Sequence, residues 1–279
     1  DISIALPGLP VQQRTSAFLD AELTQVDTLI EAKQKLLGLL AEKRRTLVAE
    51  AVMRGLDRSA PLRPSGIDWL GDIPAHWETA PLRFLVSFSS GGTPDTKKRE
   101  FWDGQIPWVS AKDMKRDILA DSQDHVSELA LDSSALKLIE EHAVLVVVRG
   151  MILAHSFPTA INTVPLTINQ DLKALRCCER LNPFFLKMVL EGATRYLVDQ
   201  ADSSAHGTKK IETDVLGALG IPVPCLDEQA QIVARIAEER VKIDKLATAT
   251  ERSIGLLKER RSALIAAAVT GQIAIPEAA

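Results

Sequence analysis

Apolar side chains recur at alternating spacings of four and three along two long stretches of this chain, one near each end. In the first, Leu19, Leu23, Val26, Ile30, Leu37, Leu40, Leu47 and Ala51 keep the alternation, with Lys33 and Arg44 at intervening positions. In the second, Ile236, Ile243, Ala247, Thr250, Ile254, Leu257, Leu264 and Ala268 do so, with Arg240 and Arg261. A stripe repeating about every 3.5 residues keeps to one helix face and needs a partner helix to cover it. Two long coiled-coil helices are therefore predicted. Glu, Lys, Arg, Gln and Asp fill the positions between, as a solvated face requires. Pro7 and Pro10 precede the first helix, Pro222 and Pro224 the second, and Gly55 and Gly271 close them. Some 40 residues at about 1.5 Å each make a rod on the order of 60 Å long.

The two stretches are also one sequence written twice. A shift of 217 positions lays Pro7 on Pro224, Gln12 on Gln229, Asp27 on Asp244 and Leu29 on Leu246. Gly38-Leu39-Leu40 falls on Gly255-Leu256-Leu257, and Arg44, Leu47 and Ala51 on Arg261, Leu264 and Ala268, without a gap. Solenoid repeats run to roughly 20–50 residues, so this period means two copies of one element around something different. The copies can return past each other antiparallel within the chain. Arg44 and Arg261 sit in the seam, where a charge costs stability and restricts pairing to one register.

Between the helices the texture changes. Pro, Gly, Asp and Ser punctuate short apolar runs at Leu82–Phe88, Ile106–Val109, Ala143–Val148 and Leu172–Leu175. That pattern predicts an α+β domain rich in short strands and loops. The organisation read from the sequence is residues 1–56 as the first helix, 57–221 as the globular domain and 222–279 as the second helix. A polar linker, Asp57 to Gly66, is expected to separate the first helix from the domain.

Composition narrows the function. The net charge is −4, and positions 58 to 222 carry 18 basic and 21 acidic residues, so no global field favours nucleic acid. Any DNA contact must come from a local basic face. Three cysteines, two of them adjacent, form neither a disulfide framework nor a zinc pattern, which points to a reducing cytoplasm. No signal peptide or apolar run long enough for a bilayer is present, so no membrane association is expected. The sequence has no P-loop, dinucleotide-type glycine motif or Asn-Pro-Pro-aromatic tetrad, and its histidines are scattered. Glu31-Ala32-Lys33 has a nuclease-like spacing but lies within the first helix. The expectation is a protein without catalysis, cofactor or metal.

Several phrases in the middle are specific. Trp69-Leu70-Gly71-Asp72-Ile73-Pro74-Ala75-His76-Trp77-Glu78 opens the domain. Gly91-Gly92-Thr93-Pro94, Phe101-Trp102-Asp103-Gly104, Ile106-Pro107-Trp108-Val109-Ser110 and Asp113-Met114 follow. Arg149-Gly150, Ile168-Asn169-Gln170-Asp171-Leu172 and Gly207-Thr208-Lys209-Lys210-Ile211 come next, and Ile221-Pro222-Val223-Pro224-Cys225-Leu226-Asp227-Glu228-Gln229 closes the set. In this order, between two helical repeats, they resemble the DNA-specificity subunit of type I restriction-modification systems. The resemblance implies a target-recognition domain that reads one half of a split DNA target. It also implies helices that set the gap and dock methyltransferase subunits, with the restriction subunit joining through these.

Residue chemistry names the candidates for DNA contact. Gly91 and Gly92 permit close backbone approach, and their N–H groups can meet a phosphate, although Gly-Gly-Thr-Pro is also an ordinary turn. Thr93 belongs to the same turn. Lys97, Lys98 and Arg99 are either a solvated charge run or phosphate ligands. Ser110, Lys112 and Asp113 follow a strand and form a loop tip, while Trp102 and Trp108 read as packing residues. Arg149 is a further candidate cation. Asn169, Gln170 and Asp171 carry groups that suit adenine or cytosine edges, or else cap a polar turn. His206, Gly207, Thr208, Lys209 and Lys210 make a flexible loop with a hydroxyl and two amines.

Two readings remain open. The first is a specificity subunit that recruits methyltransferase and restriction subunits. The second is a coiled-coil assembly protein with an inserted domain that does not bind DNA. A split target needs two readers, and this chain has one. The first reading therefore expects either a homodimer or a second recognition domain upstream, since Ile4 already matches Ile221 at the end of the middle region.

Overall fold

A computed structural model describes residues 7–203 and 208–276. The chain forms two compact units, Asp1–Arg44 with Glu238–Ala279, and Arg45–Ala237. In order it runs α1 (Leu9–Arg54), β1 (Leu62–Pro64), β2 (Asp72–Pro74), β3 (Glu78–Pro81), β4 (Val86–Ser90), β5 (Ile106–Val109), β6 (Ile118–Leu119) and β7 (Asp124–Val126). There follow α2 (Glu128–Ser133), β8 (Val144–Val147), β9 (Arg149–Gly150), β10 (Thr159–Asn162), β11 (Thr167–Ile168) and β12 (Leu172–Cys177). The chain continues through α3 (Pro183–Gly192), α4 (Thr194–Asp199), β13 (Asp202–Ser203), β14 (Lys209–Lys210), α5 (Thr213–Ala218), β15 (Gly220–Val223) and α6 (Leu226–Val269).

In the helical unit α1 and α6 run antiparallel. Val26 and Ile30 close on Ile254, flanked by Leu37 and Leu257. Leu40 and Ile243 are buried, and Leu19, Leu23 and Leu264 are half-buried. The seam arginines pair across the helices instead of standing alone. Arg261 Nε donates to Asp27 Oδ1 at 2.9 Å and Nη2 to Oδ2 at 3.4 Å. Arg44 reaches Asp244 at 3.9 Å. Asp27 and Asp244 are repeat partners, as are Arg44 and Arg261, so one contact is made twice about a local two-fold. Half-exposed pairs of this kind contribute about 1 kcal/mol at most, so they fix register more than they add stability. Gly55 and Gly271 follow the two helices with φ of 70° and 71°, the left-handed stop that glycine adopts freely.

The second unit confirms the α+β reading. Its main sheet has the order β4-β12-β8-β10-β6, antiparallel except for β6 beside β10. All four residues of β8 are buried, because α3 packs over β8 and β10 on one face. Smaller sheets pair β11-β5-β7, β13-β14-β9, β15-β3 and β1-β2. The core joins Trp77, Leu70, Ile73 and Phe185 with Val48, Ala51 and Val52 of α1 and Ile232 and Ile236 of α6. Leu47 packs against the same core.

Two local expectations change. The stretch read as a linker holds β1, whose Leu62 to Pro64 pair with Pro74 to Asp72. The run Leu82–Phe88 is not one strand. Leu82–Phe84 is a 3-10 turn tied to Leu219 O, and the strand starts at Val86. Lys187 of α3 is 4% exposed and pairs with Asp117 at 3.1 Å and with Glu191. A buried cation is stable only when paired, so this contact pins the segment leading into β6.

Candidate nucleic-acid interface

Strand direction gathers the candidate loops. Ser90 at the end of β4 lies beside Lys173 at the start of β12, and Val147 at the end of β8 beside Leu172. The segments after β4, before β12 and after β8 therefore leave one edge of the sheet. β11 and β5 run parallel with Ile168 beside Val109, so Asn169 and Ser110 emerge together. Asn169 N donates to Val109 O at 2.9 Å. β14 pairs with β9, Lys209 opposite Gly150 and Lys210 opposite Arg149. One rim thus carries residues from positions 91–93, 110–113, 149–150, 169–171 and 209–210.

Gly91 has a steric reason to be glycine. A Cβ on Gly91 would lie 1.9 Å from Ile168 O, and Gly92 N already donates to that carbonyl at 2.9 Å. The expectation of a free Gly92 amide is corrected: close approach of two backbones uses it. Trp108 Nε1 donates to Gly92 O at 2.9 Å and fastens the turn to the layer below. Thr93 Oγ1 donates to Gln170 Oε1, and both residues are exposed, so this pair is presented outward.

Asn169 is buried. Its Oδ1 accepts from Asp171 N at 3.1 Å and its Nδ2 donates to Asp171 Oδ2 at 3.3 Å. Asp171 Oδ1 accepts from Arg149 Nε at 2.8 Å. Asn169 therefore shapes the turn, Asp171 aims Arg149, and Gln170 at the tip faces solvent. Ser110 works in the same way. Its N and Oγ donate to Asp113 Oδ2 at 2.9 and 3.1 Å, and Gln123 N donates to Asp113 Oδ1 at 3.0 Å. Lys112 is exposed on that turn, 3.6 Å from Asp124.

Lys97, Lys98 and Arg99 are exposed on a segment held by an aromatic pair. Trp102 meets Trp108 edge to face at 5.0 Å and donates to Asp95 O at 3.3 Å. Lys98 Nζ lies 4.9 Å above the Phe101 ring. Lys209 is half-buried and donates to Ala201 O at 3.4 Å, and Lys210 pairs with Glu212 at 2.6 Å. Thr208 is half-buried, and His206 and Gly207 lie outside the described residues.

The rim also holds groups that residue patterns alone did not single out. Lys173 Nζ donates to Ser90 Oγ at 2.9 Å, beside the glycine turn, and Lys115 and Arg116 are exposed past Asp113. Strand alternation was the available signal, because Lys173 sits between buried Leu172 and Ala174. Acidic neighbours limit the local field: the Ser122 amide and then His125 hold the Asp121 carboxyl below its ordinary range. Burial, then the neighbouring Cys178, pushes the Cys177 thiol up to about 12, which removes it as a nucleophile. Among the described residues no group of His, Cys, Asp and Glu is placed to hold a metal, and no helix is long and apolar enough to cross a membrane.

Comparison with known proteins bears on the whole chain. A family model described as the type I restriction modification DNA specificity domain matches residues 74–243. The chain is 35% identical over 158 residues to the EcoR124I/EcoR124II specificity subunit of Escherichia coli, which covers 56% of this chain and 39% of that protein. It is 27% identical over 168 residues to the MjaIX specificity subunit of Methanocaldococcus jannaschii, covering 58% and 38%. The aligned part is thus under half the length of each relative. Among solved structures, a chain from a type I R-M system aligns at a TM-score of 0.74 and 22% identity, over 95% of this chain and 60% of that one. The HsdS subunit from Thermoanaerobacter tengcongensis aligns at 0.58 and 20%, over 97% and 60%. These two likenesses establish a shared fold.

Proposed function

The chain belongs to the type I restriction-modification DNA-specificity family, and from that premise we propose that its α+β unit reads one half of a split DNA target. The observation that carries the reading is the convergence of five loops, from three sheets, on one rim that presents Thr93, Lys112, Arg149, Gln170, Lys209 and Lys210. Cations there position the backbone, and Gln170 with Thr93 offers amide and hydroxyl groups to base edges. Gly91, Asn169, Ser110 and Asp113 hold the loops in shape. The subunit itself is non-catalytic and targets the chemistry of its partners.

The helices supply the partner surface. Beside the seam, α1 exposes Leu29, Leu36 and Leu39, and α6 exposes Leu246 and Leu256. Spacings of seven and three place the α1 residues on one face, and Leu29/Leu246 and Leu39/Leu256 are repeat partners. An apolar stripe kept in both copies is the surface we assign to methyltransferase subunits, with the restriction subunit joining through them. The second reader comes from another copy of the chain or from an upstream recognition domain.

Methylation-site mapping in a host carrying the complete system tests the reading. A single defined split sequence is expected, and the absence of any defined methylated sequence would overturn it in favour of a coiled-coil assembly protein. Lys209→Ala with Lys210→Ala should weaken binding and reduce the slope of log affinity against log salt by about 1–2. Unchanged affinity and slope would remove that loop from the DNA surface.

A further inference from the structure

The rim has one apolar element among its polar ones. Directly after Arg149 and Gly150, the 3-10 helix Met151–Ala154 leaves Met151 75% exposed and Ile152 46% exposed. No other large apolar side chain among the described residues is as exposed as Met151. The placement is built into the backbone. Gly150 has φ of 151°, a conformation that side-chain-bearing residues rarely adopt, and Leu153 anchors the turn at 0% exposure. Met151 is thereby turned outward while the residue two positions on is locked into the core. The same short helix packs against β14, which carries Lys209 and Lys210. The apolar tip thus follows Arg149 and Gly150 and packs against the strand whose Lys210 lies opposite Arg149 and whose Lys209 lies opposite Gly150.

That setting selects its ligand. Arg149 and Lys210 beside the tip are paired with Asp171 and Glu212, and exchanging those carboxylates for phosphates suits a polyanion better than an uncharged apolar surface. On the major-groove edges of DNA, thymine presents an apolar group, the C5-methyl. Methionine is unbranched and polarizable, and fills such a contact without a demanding geometry. We propose that Met151 is a specificity-determining residue that seats against the C5-methyl of one thymine in the half-site. This inference rests on the reading of the rim as a DNA surface.

The test uses the full chain assembled with its methyltransferase subunits and duplexes carrying the mapped target. Each thymine of the half-site is replaced singly by deoxyuridine, which removes only the methyl group, and affinities are measured by competition. The wild-type complex should lose roughly fourfold at one position, the worth of one buried methyl-sized group. Met151→Ala should bind thymine and deoxyuridine duplexes equally, near the wild-type affinity for deoxyuridine, while Met151→Leu should restore discrimination. Thermal melting should be the same for all three proteins. A half-site without thymine, or a deoxyuridine penalty that persists undiminished in Met151→Ala, overturns the thymine contact while leaving the DNA reading standing. A wedge inserted between base pairs would show no deoxyuridine penalty even in the wild-type complex, because intercalation does not depend on the methyl group, and that result also overturns the thymine contact. Absence of any sequence preference in the wild-type complex overturns the DNA reading itself.

Discussion

The two copies of the helix start differ in what covers them. At the second copy, Gln229 is fully buried: its Nε2 donates to Pro224 O at 2.8 Å and to Arg180 O at 2.9 Å, and its Oε1 accepts from Asn182 N at 2.8 Å. At the first copy, Gln12 Nε2 donates to Pro7 O at 2.7 Å, which is the same contact moved by one repeat. Among the described residues, counterparts of the Arg180 and Asn182 contacts do not appear there. The first copy instead opens on a groove of about 830 Å³ between Val11 and Leu19 on α1 and Ala268, Val269, Ile273 and Ile275. One helix start packs against the α+β unit, and among the described residues its twin borders a groove. Thr15 and Ser16 stand in the twin where the second copy has Ile232 and Val233, so the first copy is the more polar of the two. The difference teaches that the repeat carries its local geometry alone and takes its energetics from whatever packs on it.

The comparison can be broken by substitution. Gln229→Ala should lower stability by about 2–3 kcal/mol, because buried donors and an acceptor lose their partners, whereas Gln12→Ala should change it by less than about 0.5 kcal/mol. Urea unfolding of the isolated chain checks both, and equal losses would end the distinction. If the second reader proposed above packs on the first copy, Gln12→Ala should become destabilising in the assembled state, a shift readable by the same urea unfolding.

A smaller effect comes from the seam, where both copies contribute equally by position but not by geometry. Arg261→Ala should cost up to about 1 kcal/mol and Arg44→Ala less, since the first pair is bidentate and the second sits at 3.9 Å. Raising salt from low to molar concentration should bring the two variants together, and a larger loss for Arg44→Ala would contradict the ordering.

A separate effect, absent at neutral pH, is an alkaline pH dependence on the side of the second copy. Cys177 ends β12, close in sequence to Arg180, and its thiol is raised from 9.0 to about 12. A raised folded value means that the unfolded chain releases the proton first. The stabilisation is therefore complete below pH 9.0 and is lost progressively toward about 12. Cys177→Ala should flatten the alkaline fall in unfolding free energy measured against wild type. An identical fall in both proteins would remove the thiol as its cause.

The long elements were legible because each is decided locally. The seam from Leu19 to Ala51, its copy from Ile236 to Ala268 and the glycine stops all follow from helix periodicity and φ. The strand at Ile106–Val109 and the core strand within Ala143–Val148 were legible for the same reason. The pairing of β1 with β2 was not, since Leu62–Pro64 is too short and too polar to show a period. Within the rim, residue types marked loops that the fold brings together, but not the division of labour inside them. Whether Asn169 or Gln170 faces outward depends on which one the Asp171 amide captures. The purpose of Gly91 depends on the carbonyl of Ile168, distant in sequence. Such contacts between loops leave no trace in spacing, and Met151 went unnoticed because exposure itself has none.

The division of labour within the rim has an evolutionary consequence. Gly91, Asn169, Ser110 and Asp113 fix the loop paths through backbone contacts, while Thr93, Lys112, Gln170 and Met151 project from those paths with little of the core resting on them. Exchanges at the projecting positions are therefore nearly silent in folding. On the proposed reading of the rim, a lineage can wander through such exchanges and meet new DNA words one side chain at a time, with a working scaffold at every step.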